Sequence, residues 1–217
     1  MASTRTVDEN ATLSRSEPAR TSDRILDTAE ELVQTRGLNA MSYADISERV
    51  GITKASLHYH FPSKADLVRA LVERYSTRFF AVLAELEASG ADPAELVRGY
   101  ADIYAGVLAR GRMCLCGMLA SDYATLPTEA QDDVAAFFAR NEQWLEGVIR
   151  EGIASGRLTD TASPLDAARA LLAGLEGAML VSRPFEGTAR FDAIAAALLA
   201  GLGVPADQST TGTVAAG

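Results

Sequence analysis

From Ile25 onward, apolar residues recur three and four positions apart through each successive segment of this 217-residue chain, and no stretch alternates apolar and polar residues at the strand period of two. A chain with only the helical period buries its apolar surface by packing helix against helix, so the predicted fold is all-α, with about nine helices. Punctuation between the segments sets their ends. Ile25, Leu26, Ala29, Leu32 and Val33 mark a first helix, with Thr21 or Ser22 as its N-cap and Gly37 as its stop. Ser42 caps a short second helix with Ala44, Ile46 and Val50 inward, ended by Gly51. Thr53 caps a third, with Ala55, Leu57 and Phe61 inward, halted by Pro62. Ser63 caps a long fourth that runs to Ser89 and Gly90. Pro93, Met113, Pro127, Pro164 and Phe191 open five more, the last ending at about Leu202. Residues 1 to 20 are polar, lack the apolar run of a secretory signal and read as a flexible arm; residues 203 to 217, rich in Gly, Thr, Ser and Ala, read as a disordered tail. No apolar run is long enough to span a bilayer, so the expectation is a cytoplasmic chain with no membrane partner.

Val50-Gly51-Ile52-Thr53 joins the second and third helices, the length of turn that a helix-turn-helix requires, with glycine where the backbone must enter the left-handed region. Packing Ile46, Val50, Ile52 and Leu57 together leaves Thr53, Lys54, Ser56, His58, Tyr59 and His60 on the outer side of the third helix. These are hydroxyls, a cation and aromatic donors on the kind of short helix that enters a major groove. Ser42 and Thr53, with the free amides beside them, suit phosphate oxygens. The net charge of −9 looks hostile to nucleic acid, but it is unevenly spread. Residues 20 to 80 hold nine basic and eight acidic side chains, whereas residues 81 to 217 hold nine and eighteen. A head this close to neutral must bind a polyanion through a few placed groups, presented twice, rather than through a basic field.

The run Ile52-Thr53-Lys54-Ala55-Ser56-Leu57-His58-Tyr59-His60-Phe61-Pro62-Ser63-Lys64, with Ala44-Asp45-Ile46 and Gly51 upstream, resembles the tetracycline-repressor (TetR) family. His58 departs from the pattern, standing where that family commonly has tyrosine. The resemblance covers about residues 20 to 80. It implies a DNA-binding domain over 21–80, with its helix-turn-helix at about 42–61, followed by a helical ligand-binding and dimerisation domain over 81–202. It also implies base contacts from Lys54, Ser56 and His58, and phosphate contacts from Ser42, Thr53, Tyr59, His60 and Lys64, with Arg24 a weaker candidate. The implied partners are double-stranded operator DNA, a second copy of the chain joined through helices at about 164–182 and 190–202, and a small-molecule inducer, apolar or electrophilic, that releases a repressor from a palindromic operator.

The remainder of the chain offers less specific signals. Tyr100, Tyr104, Met113, Met118, Tyr123, Phe137, Phe138, Trp144 and Met179 serve equally well as a plain core or as the lining of a ligand pocket, with Glu176 or Asp122 as a candidate polar anchor. Cys114 and Cys116 leave two readings open. Arg110 and Arg112 precede them and Cys114 falls in a first helical turn, which favours thiolate and redox or electrophile sensing; free cysteine is equally a common small buried residue. His58 and His60 lie two apart and diverge on a helix, so neither a metal nor a cofactor is expected. A helical enzyme is disfavoured because the chain lacks HExxH, a phosphate loop and a nucleophile elbow. An adaptor that kept the fold but lost its operator is the other alternative, and it would show no salt-sensitive sequence preference for DNA.

Overall fold

The computed structural model describes residues 17–205, with side chains from Arg20 onward. Among the described residues the chain forms nine α-helices, one 3₁₀ turn at Tyr123–Thr125 and no strand. The helices are α1 (Glu17–Arg36), α2 (Tyr43–Val50), α3 (Lys54–His60), α4 (Lys64–Ala88), α5 (Pro93–Ala109), α6 (Leu115–Ser121), α7 (Thr128–Ala154), α8 (Pro164–Ser182) and α9 (Ala189–Gly201).

Three of these helices start with the same local device. Ser42 with Asp45, Ser63 with Asp66 and Asp92 with Glu95 each form a capping box, in which the cap side chain accepts a backbone N–H three residues on and the carboxylate returns to the cap amide. Each box satisfies two amides that a helix start would otherwise leave unpaired. Gly51 ends α2 at φ 73° and ψ 40°, a conformation that a Cβ resists, and its N–H bonds back to the Ser47 and Glu48 carbonyls. The chain thereby turns sharply enough for α3 to cross α2, and Ile46, Val50 and Leu57 close the joint against Ile25, Leu32 and Leu67 in the core.

The long helix α4 belongs to both halves of the molecule. Its Arg74 reaches Asp27 at 2.8 Å and Glu30 at 3.0 Å on α1, and Arg78 joins the same Glu30 carboxylate. Further along, Tyr75 and Phe79 turn into an aromatic cluster, with ring centroids 5.7 Å (Tyr75) and 5.2 Å (Phe79) from Phe137 on α7 and with Phe79 6.0 Å from Tyr100 on α5. Behind that cluster α8 packs between α7 and α9.

Several sequence expectations need correction. The first helix does not begin at Thr21 or Ser22 but at Glu17, so the boundary placed after residue 20 cuts through α1. Pro18 lies in the first turn, where a missing backbone N–H costs nothing. The tail does not begin at residue 203. Val204 is 2% exposed, its amide donates to the Leu199 carbonyl, and the Leu202 carbonyl accepts from Thr159. Residues 1 to 16 of the arm and 206 to 217 of the tail lie outside the described residues. Ala44 and Ala55 are exposed rather than inward, because each sits two residues from a buried anchor (Ile46, Leu57), on the opposite side of a helix.

Candidate nucleic-acid interface and sensor core

The head presents one end of α3 to solvent. Thr53 caps the helix by accepting the Ser56 amide at 3.1 Å, which leaves its hydroxyl hydrogen free to donate outward. Lys54 is exposed at the first helical position, Ser56 is half-buried beside it, and Leu57 alone points fully into the core. His58 is exposed, with Nδ1 3.2 Å from the Pro62 carbonyl and its ring 4.8 Å from Tyr43. Nδ1–H donating to that carbonyl leaves Nε2 as a free acceptor facing out. Tyr59 is 80% exposed, the most open large apolar side chain in the head, and meets the half-buried His60 edge to face at 5.3 Å. A face of one ammonium, two hydroxyls and an imidazole nitrogen can hydrogen-bond to phosphate oxygens and base edges.

Three candidates from the sequence are already engaged within the chain. The Ser42 hydroxyl donates to Asp45, and that bond with the Ser42 amide holds the Asp45 carboxyl below the usual carboxylate range. The Lys64 ammonium donates to the Leu38 carbonyl at 2.8 Å and the Met41 carbonyl at 3.1 Å, pinning the start of α4 to the turn between α1 and α2. Partial burial pulls its pKa down, and nearby Asp122 opposes that. Arg24 donates to the Val50 carbonyl.

Sequence reasoning missed the groups that set the angle of the head. The Tyr43 hydroxyl lies 3.0 Å from the Phe61 carbonyl and 2.6 Å from that of Ser63, clamping α2 to the turn between α3 and α4. Burial, helped by Asp66, pushes this phenol up to about 12. Asp122, weighed as a pocket anchor, instead caps the end of α6 and accepts the Leu38 amide at 2.8 Å and the Asn39 side chain at 3.0 Å. Arg183 at the end of α8 donates to the Thr35 carbonyl, and the Met113 amide donates to the Gln34 carbonyl at 3.2 Å. The end of α1 is thus held by α4, α6 and α8 together. No local pattern announces contacts between residues 84 or 148 positions apart.

The nine pocket candidates divide. Tyr100, Tyr104, Met113, Phe137 and Met179 are buried; Met118, Phe138 and Trp144 are half-buried; Tyr123 is 47% exposed on the 3₁₀ turn and is not brought to the others. Tyr100 and Tyr104 hydroxyls lie 3.2 Å apart, and Tyr100 donates to Asn141 at 2.9 Å. Asn141 in turn donates to the Phe137 carbonyl at 2.8 Å, so a polar thread runs through the aromatic cluster. Trp144 stacks on Tyr100 at 5.6 Å and reaches Glu87 with its indole N–H.

Cys114 and Cys116 are both buried. Burial drives both thiols well above their usual range, and the neighbouring Glu176 charge adds to the effect, so the surroundings oppose the thiolate that the sequence suggested. Arg112 does not activate them, because it pairs with Glu31 at 2.8 Å, and Arg110 is exposed. Glu176, on α8, packs where Gly117 leaves room on α6; a Cβ at residue 117 would lie 2.3 Å from the Glu176 carboxylate. Burial pushes the Glu176 carboxyl up to about 7, although the facing Cys114 and Tyr104 groups favour its ionised form.

Comparison with known proteins accounts for both halves. Residues 25–71 match the family of bacterial regulatory proteins of the tetR family, and residues 93–198 match the tetracyclin repressor-like C-terminal domain. The transcriptional regulator AcuR of Cereibacter sphaeroides is 31% identical over 157 residues, covering 69% of this chain and 70% of that protein. The repressor KstR2 of Rhodococcus jostii is 37% identical over 68 residues, so the chain spans only a third of that relative's length. A TetR-family regulator from Agrobacterium tumefaciens superposes with a TM-score of 0.82 at 40% identity, over 86% of this chain and 99% of that one. With the helix-turn-helix head, the all-helical body and both family domains in place, the chain belongs to the TetR family of bacterial transcriptional regulators, which are not enzymes.

Proposed function

We propose that the protein is a ligand-responsive repressor that binds a near-palindromic operator as a homodimer and works in the cytoplasm. The observation that carries this reading is the free face of α3, where Thr53, Lys54, His58 and Tyr59 stand exposed on a helix fixed from behind by Leu57 and the Tyr43 clamp. Lys54, Ser56 and His58 are assigned to base edges, and Thr53, Tyr59 and His60 to phosphates. Ser42 joins the phosphate set only by exchanging Asp45 for the DNA, whereas Lys64 keeps a third N–H beyond its two carbonyl bonds. No helix among the described residues is long and apolar enough to cross a membrane.

Support for dimerisation comes from α8 and α9. Leu180, Val181 and Phe185 are exposed large apolar side chains, and Ala173, Gly177, Ala193, Ala196, Ala197 and Ala200 extend the surface with small exposed residues that allow close helix approach. Two heads joined in this way would read half-sites about one helical turn apart, or a multiple of that. The ligand acts by favouring one spacing of the heads over the other. The buried, high-pKa thiols favour a non-covalent ligand over a cysteine switch.

The test is binding to DNA from upstream of the protein's own gene, followed by fluorescence anisotropy over a salt series. Lys54→Ala is expected to weaken binding at least tenfold and to flatten the salt dependence. Unchanged affinity and slope would show that α3 is not the recognition surface.

A further inference from the structure

Among the described residues, Glu176 is the one acidic side chain with a buried, unpartnered oxygen. The residue is partly exposed along its helix, but its carboxylate oxygen Oε1 is sealed from solvent and has no hydrogen-bond partner among the described residues. No ion pair among the described residues includes it. The titratable groups that face it are Tyr75 on α4, Tyr100 and Tyr104 on α5, Cys114 just before α6 and Cys116 within it, all neutral acids and none a cation. Cys114 and Tyr104 hydrogen-bond the carboxyl, but no cation offsets its charge, and burying it among neutral groups is expensive.

We propose that Glu176 is the anchor of a binding site for a small organic cation of the protonated-amine class. This inference rests on the reading of the body as a sensor. A carboxylate supplies the charge-assisted hydrogen bonds that an ammonium needs, and the Tyr75, Tyr100 and Tyr104 rings supply faces that attract a cation. An open cleft of about 380 Å³ lies between α4 and α7, lined by Val72, Ser76, Phe137 and Arg140, a volume within the range of small-molecule sites. Phe137 separates that cleft from the cluster, lining it on the outside while its ring lies 5.7 Å from Tyr75 on the inside. Tyr75 in turn donates to Cys114, which faces Glu176. The cleft does not itself reach Glu176, so a ligand gains the carboxylate only when both Phe137 and Tyr75 give way. Because the Glu176 carboxyl titrates near neutrality, the site takes a cation more readily as pH rises.

The experiment is calorimetric titration of the full chain with 2-phenylethylamine, neutral 2-phenylethanol and anionic 3-phenylpropionate at pH 6 and pH 8. The amine is expected to bind the wild type about tenfold more tightly at pH 8, as follows from a carboxyl titrating at about 7. Glu176→Gln is expected to lose at least tenfold in amine affinity together with its pH dependence, while 2-phenylethanol is unaffected. The wild-type pH dependence carries the test should that variant fail to fold. Equal amine binding to wild type and variant overturns the proposal, as does preference for 3-phenylpropionate or the absence of binding by all three probes. Amine binding through Glu176 that leaves operator affinity unchanged supports the site and removes only its role as a sensor.

Discussion

Glu176→Gln offers a sharp test of the energetics of the body before any ligand is known. The substitution keeps the shape of the side chain against Gly117 and removes its ability to ionise. In the unfolded chain this carboxyl titrates near 4.5, and in the folded protein burial pushes it up to about 7. At about 1.4 kcal/mol for each tenfold change in acidity, that difference amounts to about 3 kcal/mol. The sign follows from the raised value. The folded state holds a proton that the unfolded state releases, so the contribution is fully present below pH 4.5 and is lost as pH rises through about 7. Tyr75, Tyr100, Tyr104, Cys114 and Cys116, the groups that face Glu176, are all raised by burial and stay neutral over this span. Glutamine pays no such penalty. Urea unfolding followed by circular dichroism at pH 5, 6, 7 and 8, at one fixed protein concentration, should show the variant gaining on the wild type at each step. The gain from the acid end to pH 8 is expected to approach 3 kcal/mol, or roughly 1 to 2 M in the urea midpoint at the slopes usual for small proteins. A difference that stays constant across these pH values would refute the reasoning. A variant that falls behind as pH rises would mean that the ionised carboxylate has a favourable partner.

Tyr43→Phe removes a hydroxyl that serves two carbonyls and is expected to cost about 1 to 2 kcal/mol in thermal or urea unfolding, with a larger loss in DNA affinity than in fold because the α3 angle loosens. Cys114 and Cys116 should react with a thiol reagent such as dithionitrobenzoate only slowly in the native protein and fully in urea; rapid native labelling would restore the thiol-switch reading. Leu57→Ala, at a fully buried position behind the exposed α3 face, should destabilise by about 2 to 5 kcal/mol, as measured by the unfolding midpoint. The wild type is expected to sediment as a dimer and Leu180→Glu, on the exposed α8 face, as a monomer; an unaltered sedimentation coefficient would place the interface elsewhere.

What the sequence determined was everything held by contacts three or four residues long. The capping boxes at Ser42 and Ser63, the left-handed Gly51 and the inward Leu57 are all local, so they can be read in a short window. Helical period likewise dictated an all-α body. Its C-terminal end and one pocket candidate were misjudged for the opposite reason. Val204 is fixed by its docking near Leu199 and Thr159, not by its Gly- and Thr-rich neighbours, and Tyr123 is outward because a 3₁₀ turn interrupts the period that would have brought it in. Only the tertiary structure decided the chemistry of the body. Asp122 left the candidate pocket to hold the Leu38 amide, 84 residues away, and the core closed over both cysteines and raised their thiols. Glu176 acquired its buried, unpaired oxygen from the close approach of α8 to Gly117 on α6. Desolvation depends on what surrounds a group in space, and these surroundings are assembled from α4, α5, α6 and α8, segments that no local reading places together.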